Sequence, residues 1–302
     1  MQSKLPNFLV VGAAKCGTSS LHYYLNQHPD VFMPTYTDEG LKVKEPRFLI
    51  KEKIKNRLEK GVWDFDDYNS LFDTVAEEKA IGESTVLYLF YYKEAIKNIK
   101  KYLIEDVRII IMLRNPIDRA YSSYLFASRT PQENQTFEYA LESSSERFKQ
   151  DITLSPMILY KELGLYYKMV KAYFDNFKNV HIILYDDFVM SADKEVSKVL
   201  DFLNIDNRNV NTNKIINSGG KQWDSKLMKK ILMGNSKMSS FIKNLVPKSI
   251  RVKLKKGLTN IFTSKAARMK ESTKKELLNY YQNDIKLLEK LINKDLSKWL
   301  KI

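Results

Sequence analysis

A chain of 302 residues that is 44% hydrophobic and 12% aromatic can bury a sizeable core, which excludes a disordered or low-complexity protein. Its single cysteine, Cys16, excludes an internal disulfide framework and a cysteine-based zinc site, and suits a reducing compartment. The formal net charge of +14 is uneven: residues 221–302 hold 21 Lys and Arg against 6 Asp and Glu, and the residues before them hold 29 against 30.

The first strand is expected at Phe8 to Val11. The run from Asn7 to Gly12 leads straight into a glycine turn and leaves no space for a signal peptide or membrane anchor, so a soluble, cytoplasmic protein is expected. Apolar spacing near 3.6 residues predicts helices from about Thr18 to Gln27, Tyr91 to Tyr102, Pro116 to Ser128, Met157 to Phe177 and Ser191 to Leu203. Between them fall a weaker strand at Lys79 to Gly82 and clearer ones at Val107 to Leu113 and Val180 to Tyr185. The segment Ile109 to Leu113 has no polar alternation, as a central strand buried on both faces requires. Asn115-Pro116 opens the helix after it, with Asn as cap and Pro at the first helical position. After Asn217-Ser218-Gly219-Gly220, lysine-rich helical segments run to the C-terminus. Strands alternating with helices predict a three-layer α/β fold, a central parallel sheet flanked by helices, as one domain over residues 1–302 with a helical C-terminal part.

Phe8-Leu9-Val10-Val11-Gly12-Ala13-Ala14-Lys15-Cys16-Gly17-Thr18-Ser19-Ser20-Leu21 has the order strand, glycine turn, helix start. Glycines let backbone N–H groups turn inward, Lys15 adds a full charge, and the helix presents free N–H groups and its positive dipole end to an anion. Thr18 and Ser19 add hydroxyl donors. In nucleoside-triphosphate loops a glycine is followed after four residues by Gly-Lys-Ser/Thr, whose hydroxyl binds magnesium. Gly12 and Gly17 keep that spacing, but Thr18 stands in the lysine's place and the lysine has moved to position 15. The apolar strand Ile109 to Leu113 ends in Arg114, not in an acidic magnesium ligand, so a phosphate donor handled without metal is the better fit. Taken alone, the glycine pair would also suit an ordinary strand-to-helix turn.

A second anion site is expected at Arg114-Asn115-Pro116-Ile117-Asp118-Arg119-Ala120-Tyr121-Ser122. The arginine at the strand end can grip a phosphate with its planar fork, and Ser122, eight residues later, can share it. The two motifs together resemble the sulfotransferases that use 3′-phosphoadenosine 5′-phosphosulfate (PAPS), in particular their carbohydrate-type and bacterial branch. The resemblance implies a P-loop-like fold, release of 3′-phosphoadenosine 5′-phosphate (PAP) as product, and no metal requirement. Lys15, Cys16, Gly17, Thr18 and Ser19 match the family's 5′-phosphosulfate loop, and Arg114 and Ser122 match its 3′-phosphate ligands. Asn26-Gln27-His28-Pro29-Asp30-Val31, Gly82-Glu83-Ser84-Thr85, Tyr185-Asp186-Asp187-Phe188 and the closing stretch Lys270 to Leu300 echo the family in the right order along nearly the whole chain.

Lys44-Glu45-Pro46-Arg47-Phe48 resembles the family's Lys-Glu-x-x-Phe segment, which implies Glu45 as general base and Lys15 as the cation on the leaving phosphate. His28 is expected to be structural, and His22 and His181 to be core or edge residues. Lys221, after the glycine pair, is assigned to donor binding, with Lys265 and Arg268 as rivals, and Trp223 is a candidate for stacking on adenine. Heparan-type enzymes commonly carry Glu-Lys-Thr/Ser-Pro where this chain has Glu83-Ser84-Thr85-Val86, so a heparan-like acceptor is not implied. A saccharide, glycolipid or small-metabolite hydroxyl, or an amine, fits equally, with specificity expected in Thr35 to Lys42, Ser128 to Gln135 and Asp151 to Pro156. The basic C-terminal region suits an anionic membrane surface or polyanion, and nucleic acid is not expected. The competing readings are a P-loop nucleotide kinase and a catalytically inactive polyanion-binding protein.

Overall fold

The computed structural model describes residues 4–35, 44–58, 60–208, 210–214, 220–224, 229 and 261–302. Five parallel strands, β1 (Phe8–Gly12), β2 (Val31–Phe32), β3 (Ala80–Ser84), β4 (Arg108–Leu113) and β5 (Val180–Leu184), form one sheet in the order β2-β3-β1-β4-β5. The expected α/β architecture is therefore present. Ile109 to Leu113 are completely buried, as their unbroken apolar run requires, and so are Phe8 to Val11 beside them.

The helices are α1 (Thr18–Leu25), α2 (Lys51–Ile54), α3 (Phe65–Ser70), α4 (Tyr92–Tyr102), α5 (Pro116–Ala127), α6 (Phe137–Gln150), α7 (Tyr166–Asn176), α8 (Tyr185–Met190), α9 (Ala192–Phe202) and α10 (Glu271–Ile292). α1 packs with α9, and α4 with α7. Right-handed crossovers place these pairs on opposite faces of the sheet, because the chain leaves β1 toward β2 but leaves β3 toward β4. That reversal puts the topological switch at β1 and β4, and ligands of open α/β sheets bind outside the carboxyl ends of strands at such a point. The Gly12–Ser19 loop and Arg114 both leave the sheet there.

One predicted helix is broken. Met157 to Phe177 is not continuous: two single 3-10 turns, Pro156–Ile158 and Glu162–Gly164, precede α7. The carbonyls of Tyr160 and Lys161 face outward to accept the Tyr281 hydroxyl at 3.2 and 2.9 Å, and Tyr160 also accepts from the buried Arg119 guanidinium. Gly164 lies so close to Tyr281 and Pro116 that a Cβ would stand 2.9 Å from the phenol oxygen. A helix through this point would withdraw those carbonyls, so tertiary bonds override local propensity. α7 starts afresh with the Asp284 carboxylate of α10 accepting from Tyr166 N–H at 2.7 Å and Tyr167 N–H at 3.2 Å.

Strand β2 and helices α2, α3, α6 and α8 were not foreseen. α6 carries Phe137, Ala140, Leu141 and Ser144 on one buried face, a spacing that would have betrayed it. The opening of α5 is as expected, with Asn115 Oδ1 accepting from Ile117 N–H at 3.0 Å and Pro116 in the first turn. The closing stretch forms α10 and a 3-10 turn, burying Leu277, Tyr281, Ile285, Leu288 and Trp299. A two-stranded ribbon, β6 (Lys221–Trp223) and β7 (Thr263–Lys265), completes the described elements. Much of the basic stretch, residues 225–228 and 230–260, lies outside the described residues. Among the described residues no helix is long and apolar enough to cross a membrane.

Candidate active site

The loop between β1 and α1 needs backbone shapes that side chains resist. Gly17, the residue before α1, has φ 91°, and a Cβ there would press on Met112 and the Tyr185 ring at 3.3 Å. Lys15 itself adopts φ 70°. Among the described residues, no protein acceptor receives the N–H groups of Lys15, Cys16, Gly17, Thr18 or Ser19. Five adjacent donors at a helix start form a cradle for an anion. The Cys16 thiol points away from it into the core, 3.8 Å from the Tyr166 hydroxyl, and burial pushes its pKa up to about 11. Cys16 thus contributes its backbone to the cradle and its side chain to the floor beneath.

A row of cations follows the loop. Arg114 lies with its guanidinium 4.6 Å from the Tyr185 ring centre and Nη1 3.5 Å from the Lys15 carbonyl, while its own carbonyl accepts the Tyr166 hydroxyl at 3.1 Å. Lys15 Nζ stands 4.4 Å from the centre of the Phe126 ring, and Arg129 lies 5.6 Å from the same ring. Arg114 precedes α5 and Phe126 lies in its last turn, the 12-residue helix spanning about 18 Å, and Lys15 reaches both, its carbonyl toward Arg114 and its ammonium toward Phe126. Burial, then the charges of Arg129 and Arg114, lower the Lys15 ammonium to about 8, against the opposing charges of Cys16 and Glu45. Cations held together against their mutual repulsion, beside unpaired amides, fit a ligand with several separated negative charges.

Ser122 is half-buried on α5. Beside it, Tyr121 donates to the Ala267 carbonyl at 2.6 Å, and Ala266 N–H donates to the Gly220 carbonyl at 2.7 Å. Those bonds bring the β6–β7 ribbon onto α5, with Lys221 paired in register with Lys265 and Arg268 just beyond. The Lys221 side chain, and the preceding Asn217 to Gly219, lie outside the described residues. The Trp223 indole N–H is committed to the Arg129 carbonyl at 3.2 Å, so it tethers that arginine.

Glu45 has a side chain 23% exposed, 3.5 Å from Lys44 Nζ and 3.6 Å from Arg47 Nη2. The Arg47 N–H, two residues on, donates to Thr85 Oγ1 at 3.3 Å just past β3, which places the Glu45 segment at the carboxyl end of the sheet. Glu83, at the end of β3, is completely buried and raised to about 7 by burial, although Tyr88, Thr85 and Tyr68 all donate to it. His28 is structural: Nδ1 accepts from Asp30 N–H at 3.1 Å, so Nε2 carries the proton and donates to the Asp206 carbonyl at 2.9 Å. His22 lies buried with Nδ1 3.1 Å from Ser84 Oγ, and His181 packs against Phe202 in the edge strand β5. Of the stretches expected to set specificity, 36–42 lies outside the described residues, and the other two are joined by Gln132, which donates to Thr153 O at 3.1 Å and accepts from Ser155 N–H at 2.7 Å.

Arg129 and Glu83 are the residues that sequence reasoning missed. Arg129 had one legible signal, its three-residue distance from Phe126 at the end of a predicted helix. Glu83 stands in a quoted motif, but nothing in the sequence announces its burial.

Fold and site together define an α/β protein of the P-loop type whose anion cradle is flanked by side-chain cations. The family model described as a sulfotransferase domain matches residues 5–292, and the chain belongs to that family. A crystal structure of a sulfotransferase from Alicyclobacillus acidocaldarius is 29% identical, superimposes with a TM-score of 0.72 and aligns over 98% of this chain and 99% of that one. Carbohydrate sulfotransferase 15 from Homo sapiens is 23% identical over 67% of this chain and 44% of its own length. Membrane-associated sulfotransferase kil1 from Dictyostelium discoideum is 29% identical over 46% of this chain and 27% of its own length. The chain thus spans less than half the length of these two curated relatives.

Proposed function

We propose that this chain transfers a sulfuryl group from PAPS to a hydroxyl of a saccharide-type acceptor, by in-line displacement with Glu45 as general base. The observation that carries this reading is the row Arg114, Lys15 and Arg129 along an amide cradle, with Glu45 as the carboxylate beside it. PAPS supplies an activated sulfur and a phosphate leaving group. Arg114 and Ser122 hold the 3′-phosphate, with the ribbon that carries Lys221, Lys265 and Arg268 closing from the α5 side. The loop amides of Lys15 to Ser19 and the Lys15 ammonium hold the 5′-phosphate.

As the acceptor oxygen bonds to sulfur, Glu45 takes the acceptor proton, and the sulfur–oxygen bond to the phosphate breaks. Lys15 stabilises the charge that collects on that phosphate, and Arg129, beside the same Phe126 ring, meets the sulfuryl oxygens. These side chains take the part a metal plays in triphosphate loops, so the proposed reaction uses none. The saccharide class draws on the printed name of carbohydrate sulfotransferase 15; glycolipids offer the same hydroxyl chemistry, and an amine would use the same base.

The test is transfer of label from [35S]PAPS to a panel of chondroitin, heparan and glycolipid acceptors, with PAP release read in parallel. Labelled product from any of them supports the reading, and absence of both label transfer and PAP release contradicts it. Arg114→Ala is expected to weaken PAP binding about 10- to 100-fold, because a charge-assisted hydrogen bond contributes about 1.5–3 kcal/mol. Isothermal calorimetry measures it.

A further inference from the structure

We propose that Glu83 is a positioning residue, which sets the backbone that carries Glu45 through two hydroxyl relays; this rests on the assignment of Glu45 as base. Glu83 ends β3 with its carboxylate completely buried, and no cation pairs with it among the described residues. One oxygen accepts the Thr85 hydroxyl at 2.9 Å. The other accepts the Tyr88 hydroxyl at 2.7 Å and that of Tyr68 at 3.1 Å. A hydroxyl has one proton to give and lone pairs left to accept with. Thr85 and Tyr88, having given their protons to Glu83, turn those lone pairs outward, and the Arg47 N–H donates to Thr85 Oγ1 and the Leu49 N–H to Tyr88 Oη, each at 3.3 Å.

Both ends of the relays therefore fall on the segment just after Glu45. Arg47 needs the help: its φ of 66° is a left-handed conformation that residues other than glycine rarely adopt. The same turn is held by Pro46 O accepting from Val62 N–H at 2.8 Å and by the Arg47 guanidinium donating to the Lys60 carbonyl. From that turn the Arg47 Nη2 comes within 3.6 Å of the Glu45 carboxylate. A buried carboxylate with no cation is a costly way to fill a core, and an apolar residue would serve the fold better. What the carboxylate provides is acceptor oxygens: with Thr85, Tyr88 and Tyr68 all donating to it, the sense of both relays is set outward toward Arg47 and Leu49. A shift of about 1 Å in a catalytic group costs on the order of 10²-fold in rate, so small changes at Arg47 are read at Glu45.

The test uses Thr85→Val and Tyr88→Phe, each of which cuts one relay and leaves Glu83 in place. Conversion of PAPS to PAP is followed in single turnover with chondroitin oligosaccharides, and also without them, when water takes the sulfuryl group and sulfate is released. The expected result is a fall of about 10- to 100-fold in the rate for each variant, with PAP affinity unchanged. Thr85→Ser, which keeps the hydroxyl, restores the rate. In a Glu45→Gln background neither substitution lowers the rate further, because nothing remains to be positioned. A loss that persists undiminished in that background, or no loss in Thr85→Val, overturns the proposal, since a structural role alone predicts effects that add. If Glu45→Gln itself turns over at the wild-type rate, the assignment of the base fails first, and the positioning role falls with it.

Discussion

Glu45→Gln is expected to slow sulfuryl transfer by about 10²- to 10⁴-fold while leaving PAP affinity nearly intact, the signature of a lost general base. Glutamine keeps the shape of the side chain and its place beside Lys44 and Arg47, but it cannot take a proton. PAP has no acceptor proton to lose, so its binding by Arg114, Lys15 and the loop amides does not involve Glu45 chemically. The separation of the two readouts is the point of the experiment. A fall in PAP affinity as large as the fall in rate would make Glu45 part of the donor site, and an unchanged rate would send the search for a base to His22 and the Ser84 hydroxyl beside it.

Lys15→Met is expected to lower transfer by about 10²- to 10³-fold, the usual cost of removing one group that meets the developing charge, and at the same time to stabilise the free protein. The second half follows from the ammonium's depression to about 8 by burial and by Arg129 and Arg114. A lysine whose folded pKa lies below its unfolded value opposes folding while it is charged. At neutral pH the native state therefore bears a cost of about 3 kcal/mol, which methionine removes. Thermal unfolding of the two apo proteins measures it. In the wild type, stability should rise with pH between about 8 and the unfolded value near 10.5, because over that window the unfolded chain binds the extra proton. An anion does the opposite and favours the charged ammonium. PAP affinity should be greatest below about pH 8 and fall by up to tenfold per unit above it, and the Lys15→Met variant should lack this limb. A variant destabilised by the substitution would show that Lys15 is not held at a cost, and the cation row would lose its meaning.

The sequence made the centre of the sheet legible because burial on both faces leaves no freedom of composition: Ile109 to Leu113 admits few other readings. The loop at Gly12 to Ser19 and the Asn115-Pro116 helix start were legible because left-handed backbone and helix caps demand particular residues. What could not be read depended on contacts between residues far apart in the chain. Gly164 breaks a helical pattern only because Tyr281, more than a hundred residues later, needs the carbonyls of Tyr160 and Lys161. Arg129 joins the cation row only because Phe126 offers its ring to Lys15 and Trp223 holds the Arg129 carbonyl. Glu83 looked like any charged residue near a strand end until Tyr68, Thr85 and Tyr88 closed over it. Local rules thus pointed to the proposed donor site, while Arg129 and Glu83, proposed to tune and position it, came into view only with the tertiary structure.

The most direct test of the account is a calorimetric titration of the purified wild-type chain with PAP in EDTA, run beside ATP with magnesium. The account predicts saturable binding of PAP without metal and much weaker binding of ATP, because Lys15 and Thr18 stand where a triphosphate loop needs other residues. Preference for ATP with magnesium, or no binding of either nucleotide, would contradict it.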